Sequence, residues 1–245
     1  MSVPGQVKID QVDGIRFLRV CDWHLPFDTL ASRVRLDLCP DCEDDLRRLC
    51  AAAEAVARPG AAWRTVDSVA ALDGERVVIA GLEFRSAMLA HNLASAQRVW
   101  PYLASCGPAL DELVNQPDLS GVFEDCLAEY WLDCIKALAL DAAFEALRLD
   151  VLDRADPGRL SAMNPGSGDV TLWSIEQQRP LFKLLGNAIQ EWVGVKLGDS
   201  CLMHPNKSVS GLFFHGAEDF DSCAYCEREH CPGRRVPWQG GGLQH

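Results

Sequence analysis

The chain has 245 residues, 48% of them apolar and 24% charged, enough to bury a substantial core as one large domain or two small ones. Its formal charge, 23 − 35 = −12, repels phosphate backbones, so nucleic acid is not an expected partner. No apolar run approaches the ~20 residues of a membrane span, and no secretory apolar segment follows Met1, so no membrane partner is expected and a cytoplasmic location is.

Along the chain, Asp22-Trp23-His24 resembles part of a corrinoid-ligating Asp-x-His-x-x-Gly motif, but Phe27 replaces the glycine, so it reads as coincidence. Residues Asp41 to Ala57, rich in Ala, Leu and Arg, predict a helix stopped by Pro59-Gly60. Arg76 to Phe84 reads as one strand containing a glycine. Ser86 is suited to cap a helix through Met88, Leu89, Leu93 and Ala96 to about Trp100, where Pro101 interrupts it. His91 and Asn92 fall in that mostly apolar helix, where a core or groove histidine is expected rather than a catalytic one. Gly121 to about Leu152 repeats apolar residues at three- and four-residue steps, the strongest helical signal in the chain, and Asp156-Pro157-Gly158 ends it.

The last third changes character. Asn164-Pro165-Gly166 and Gly168-Asp169 carry turn chemistry. Ser174 with Gln177 fits a capping box, opening a helix at Ser174 or, after a break, at Pro180, that carries Leu181, Leu184, Leu185, Ile189 and Trp192. Two extended segments, Ser200 to Met203 and Ser208 to His215, read as paired strands. Long helices with few strands predict an α+β domain over residues 1–235, followed by a flexible tail over 236–245.

Eleven cysteines are many for such a chain, and clustered cysteines in a reducing compartment more often bind metal than pair with each other. Cys126 and Cys134 fit the apolar face of the long helix and read as core. Cys39-Pro-Asp-Cys42, with Cys50 beyond, reads as a structural or incidental pair. The dense site is Cys223-x-x-Cys226 with Cys231: three soft thiolates that suit iron–sulfur iron or zinc. A fourth ligand would come from His230, Cys201 or the first cysteine cluster, or stay open. Gly-x-Ser-x-Gly, Walker and dinucleotide fingerprints are absent, which removes support for hydrolase, nucleotidase and dinucleotide readings.

Four segments then occur in order: Met163 to Asp169, Gln177 to Leu185, Gly194 to Leu197, and Met203 to Gly211 with its Lys207-Ser208-Val209-Ser210-Gly211 core. Together they resemble the activation (AdoMet-binding) domain of cobalamin-dependent methionine synthase, and especially its stand-alone homologues. Those homologues share a tail like Cys223 to Arg235. Val77 to Phe84, Ser86 to Ala96 and Ser105-Cys106-Gly107 are also similar, so the resemblance covers about residues 75 to 235. It implies long helices packed on a small, mostly antiparallel twisted sheet. It also implies an AdoMet and corrinoid site at Asn164, Pro165, Gly166, Ser167, Lys207, Ser208, Val209, Ser210 and Gly211, with Glu129 in the region of an acidic ligand. The chain departs from the family's Arg-x-x-x-Gly-Tyr: Ser167 follows the glycine, and Arg159 stands seven residues before it.

The role implied is service to a corrinoid methyltransferase system. Cobalamin would be supplied by a corrinoid-binding partner protein or methyltransferase, and an electron donor protein would feed an iron–sulfur cluster that reduces cob(II)alamin, with S-adenosylmethionine as methyl donor. The alternatives kept open are a zinc-stapled, non-catalytic binding subunit and a small subunit that contacts the corrinoid during turnover.

Overall fold

A computed structural model describes residues 6–124, 126–154, 160–167, 172–215, 220–228, 230, 234 and 236–239. Its centre is a six-stranded sheet of β1 (Val7–Val12), β2 (Ile15–Val20), β3 (Gly60–Arg64), β7 (Val99–Ser105), β11 (Ser208–Phe214) and β8 (Ser161–Met163), in that order. Every neighbouring pair is antiparallel. The remaining strands form a three-stranded sheet, β4 (Val69–Ala71), β5 (Arg76–Ile79) and β6 (Leu82–Arg85), and a small pair, β9 (Lys196–Leu197) with β10 (Met203–His204). The α+β expectation, helices on a mostly antiparallel sheet, is met.

Strand alternation decides what each face meets. Trp100, Tyr102 and Ala104 of β7 pack with Ala143, Leu147 and Val151 of α4 (Cys126–Arg154). Leu103, one step out of phase, packs with Ile15 and Phe17 of β2 against α5 (Gln178–Leu185) and α6 (Ala188–Trp192). α2 (Glu43–Val56) and α1 (Phe27–Arg33) join the first half of α4 in a second core. α3 (Ala87–Asn92) closes a third with Phe84, Trp173, Leu212 and Phe214.

Several expectations are corrected. Arg76 to Phe84 is a hairpin: Ile79 pairs with Leu82, and the two turn residues Ala80 and Gly81 both have positive φ, +47° and +81°. Ser86 does cap its helix, its Oγ accepting from Leu89 N, but the helix ends at Asn92. Trp100 and Pro101 belong to β7. Proline is tolerated there because the pairing of β3 with β7 ends at Trp63 and Tyr102, which leaves residue 101 open on that side. Gly186, at φ +75°, splits the expected single helix into α5 and α6. The segments near 200 and 208–215 do not pair with each other: β10 pairs with β9, while β11 enters the central sheet between β7 and β8. Residues 7–20, given no element from sequence, form a hairpin across Asp13 and Gly14, both at positive φ. No described helix is long and apolar enough to cross a membrane.

Candidate functional site

The turn predicted at Asn164 forms. Ser167 N donates to Asn164 O at 3.2 Å, and Gly166 has φ +75°, the geometry expected of Pro-Gly at the middle of a type II turn. Gly166 N also donates to Trp173 O at 2.8 Å, and a Cβ at Gly166 would lie 2.9 Å from Ile175 Cβ. The turn is therefore pressed against the segment that leads into α5.

Sheet pairing joins this turn to the Lys207–Gly211 segment. β11 runs beside β8, with Leu212 opposite Met163. The Asn164 side-chain amide donates to Tyr102 Oη at 2.6 Å and to Ser210 O at 2.8 Å. Gly211 makes room for this contact: a Cβ there would sit 2.3 Å from Met163 O, 2.6 Å from Asn164 Nδ2 and 2.8 Å from Tyr102 Oη. The space left by this glycine is filled by the chain's own atoms. On the opposite face, the Ser210 hydroxyl lies 3.1 Å from Gln178 Oε1, both buried. Ser208 Oγ lies 2.9 Å from Ser105 Oγ and 2.8 Å from Pro205 O, and Val209 is half-buried against α4. Lys207 meets a carboxylate, its Nζ 2.8 Å from Asp133 Oδ2 on α4.

Glu129 is exposed in the first turn of α4. Phe144 of the same helix tilts against Tyr102 with ring centroids 5.8 Å apart. Fifteen residues of helix, about 22 Å at 1.5 Å per residue, separate Glu129 from Phe144. The structure brings Asn164, Gly166, Ser210 and Gly211 together and does not bring Glu129 to them. Ile175, against the turn, also lines an open cleft of about 720 Å³ with Gln177, Arg179, Lys183, Asp199 and Cys201. That volume lies in the range of small-molecule sites.

The cysteine loop docks on the outer edge of β8. Asp221 bridges Ala162 in parallel, and Phe220 N donates to Ser161 Oγ at 3.3 Å. Phe220 stacks on Tyr225 at 5.5 Å and tilts against Phe214. Cys223 and Cys226 are half-buried on one 3-10 turn, capped by Asp221 Oδ1 accepting from Cys223 N. The Arg234 guanidinium donates to four carbonyls: Cys223 O and Cys226 O at 2.9 Å, Arg228 O at 2.6 Å and Val236 O at 3.3 Å. Cys231 lies outside the described residues, as do Asp156-Pro157-Gly158, Gly168-Asp169 and the tail from 240. Among the described residues no three His, Cys, Asp or Glu side chains converge on a metal position. The candidate fourth ligands His230 and Cys201 are therefore not gathered with Cys223 and Cys226, and Cys201 sits buried in the cleft wall.

Other cysteines divide by burial. Burial, helped by Asp111, pushes the Cys106 thiol up to about 12, and burial with Glu54 pushes Cys50 up to about 11, so both are inert core thiols. Cys134 is buried on α4, as expected. Trp23 is a core residue while His24 is exposed beside Glu54. His91 is exposed, not in a core or groove: α3 buries Met88, Leu89 and Ala90 and leaves His91 on its outer face. The capping box is only half made: Ser174 Oγ accepts from Glu176 N, while Gln177 Oε1 accepts from Arg85 N instead. Tyr102, Asp133 and Arg234 are the functional-site neighbours that sequence reading did not single out. Of these only Arg234 stood inside a recognised motif.

The sequence matches no protein-family profile and no curated protein. Among solved structures, it is similar to the MetH reactivation domain bound to AdoHcy, with a TM-score of 0.60 and 16% identity over 85% of this chain and 80% of that one. The two share a fold. The MetH reactivation domain thus carries the same arrangement of helices on an antiparallel sheet.

Proposed function

We propose that this chain serves a corrinoid methyltransferase system by reactivating a cobalamin held on a partner protein. The observation that carries this reading is the fold shared with a reactivation domain, within which the Asn164–Ser167 turn and the Lys207–Gly211 strand become bonded neighbours. In the proposal, the turn and the cleft bordered by Ile175, Gln177 and Arg179 hold S-adenosylmethionine, which when bound supplies a methyl group. The chain's own residues orient it: Gly166 keeps the turn tight against Ile175, and Asn164 ties it to Ser210. Lys207 is already neutralised by Asp133, so its part is to fix β11 on α4.

The cysteine loop is assigned the redox task. Half-exposed thiols on one turn are a donor set that fits a soft metal, with Cys231 as the third ligand and an electron donor protein delivering to an iron–sulfur cluster. Anaerobic purification followed by iron, zinc and acid-labile sulfide analysis tests this part. A brown protein with iron and sulfide supports it; a colourless one with stoichiometric zinc removes it. Equilibrium binding to a corrinoid protein in its cob(II) and methylated states tests the whole reading. Preference for cob(II) is expected, and equal affinity sinks the reactivation role.

A second reading, a zinc-stapled subunit that docks without chemistry, is favoured by the packing at Gly211, where internal atoms occupy the space a ligand would need. It expects no binding of S-adenosylmethionine at all.

A further inference from the structure

We propose that Cys39-Pro40-Asp41-Cys42 is a dithiol–disulfide exchange site, through which this chain takes up and returns a pair of electrons with a dithiol reductant. The site is separate from the cysteine loop at 223–231 and does not depend on the function proposed above. Cys39 and Cys42 are bonded to each other, with their Cα atoms 5.6 Å apart.

Three observations set this bond apart from a structural staple. First, it lies at the surface. Both cysteines are half-buried, whereas the free thiols of Cys50, Cys106, Cys134 and Cys201 are buried. Second, it closes a turn that is closed without it. Cys42 N donates to Cys39 O at 3.0 Å, and Cys39 N donates to Leu36 O at 3.0 Å. A crosslink restrains the unfolded chain in proportion to the logarithm of the loop it closes, and a separation of three residues is among the shortest a disulfide can span. Third, among the described residues no His, Cys, Asp or Glu side chains converge with the pair on a metal position.

Its surroundings suit exchange. Pro40 opens the 3-10 turn that leads directly into α2, fourteen residues long, whose unpaired N–H groups stabilise one thiolate. Asp37, Asp41, Glu43, Asp44 and Asp45 crowd the same end, and three of them are paired with arginines: Asp37 with Arg35, Glu43 with Arg47 and Asp45 with Arg48. The five carboxylates outnumber these three arginines, and the remaining negative charge disfavours anionic thiols, so the fitting reductant is a neutral or cationic dithiol.

The step balances without another reactant. A thiolate of the reductant attacks one sulfur of the Cys39–Cys42 bond, forming a mixed disulfide and releasing the other cysteine as a thiolate, which takes a proton. The reductant's second thiol then attacks the mixed bond, releases the first cysteine, and leaves as its own disulfide. Two electrons and two protons have passed to Cys39 and Cys42.

The test uses the full native chain, dithiothreitol as the neutral dithiol, and site-resolved mass spectrometry after alkylation. In the air-oxidised protein Cys39 and Cys42 should be protected while exposed Cys21 is alkylated. Dithiothreitol should then expose both together, with circular dichroism unchanged, and its removal under air should restore protection. In Cys39→Ser/Cys42→Ser the reducible pair should vanish while the fold remains. Alkylation of Cys39 or Cys42 in the air-oxidised protein overturns the proposal. So does a bond that opens only after denaturant, which would mark a structural staple.

Discussion

At the scale of single residues, Gly211 and Asn164 carry the clearest consequence. The added Cβ of Gly211→Ala would meet a backbone carbonyl at 2.3 Å, which cannot swing aside as a flexible side chain could. We expect a loss of about 1–3 kcal/mol, the ordinary range for overpacking, read as a lower urea midpoint. Asn164→Ala removes two hydrogen bonds and should cost about 1–3 kcal/mol as well. Combining the two should not restore stability, because Met163 O remains in the way; full rescue would show that the amide alone sets the spacing. These residues were legible in the sequence because Asn-Pro-Gly and Ser-Val-Ser-Gly are unusual local chemistry. Their meeting was not, since residues 164 and 210 touch only through pairing of strands 46 positions apart.

At the scale of elements, two contacts can be weighed. Ala80 holds φ +47° in the exposed two-residue turn between β5 and β6, a conformation that asparagine and glycine adopt at less cost. Ala80→Asn should raise stability by about 0.5–1 kcal/mol, seen as a higher thermal midpoint with the same heat-capacity change. Asp150 ties α4 to the sheet: Arg16 grips it through Nε at 2.9 Å and Nη2 at 2.8 Å, and Trp63 Nε1 donates at 2.7 Å. Burial opposes its charge, but the bonds from Arg16 and Trp63 and the charges of Arg16 and Arg154 outweigh burial and hold its carboxyl below the ordinary value of 3.8. A carboxyl depressed in the folded state contributes stability that is full above that ordinary value and is lost as pH falls through the folded one. Asp150→Asn should therefore cost about 3 kcal/mol at neutral pH, and the gap from wild type should narrow progressively below pH ~4. A gap that stays constant with pH would mean the effect is packing, not charge. The long helix α4 and the cap at Ser86 were readable because periodicity and capping are local signals. Strand β7 was not: it is buried along its whole length, so it shows no alternation, and its Pro101 imitates a helix stop.

At the scale of the whole molecule, the C-terminal loop is an appendage fastened to a sheet that is complete without it. Among the described residues its attachments to that sheet include the Asp221 bridge to Ala162, Phe220 N donating to Ser161 Oγ at 3.3 Å and the Phe214–Phe220–Tyr225 ring series. Within it, one guanidinium gathers four carbonyls, including those of both described cysteines. Such bonds to a charged donor are worth about 1.5–3 kcal/mol when buried, and partial exposure reduces that here. If Arg234 shapes the loop before any metal arrives, Arg234→Gln should speed amide exchange across residues 220–228 roughly tenfold, since a tenfold change corresponds to about 1.4 kcal/mol, and leave β7 amides as slow as in wild type. Chelator treatment of the wild type should change that exchange little. The opposite pattern, an Arg234→Gln protein that exchanges like wild type and a chelated one that loosens, would make metal the organiser of the loop and Arg234 a bystander. The comparison is informative because the two agents act on different atoms, carbonyl oxygens for the arginine and thiols for the metal, so neither result can stand in for the other.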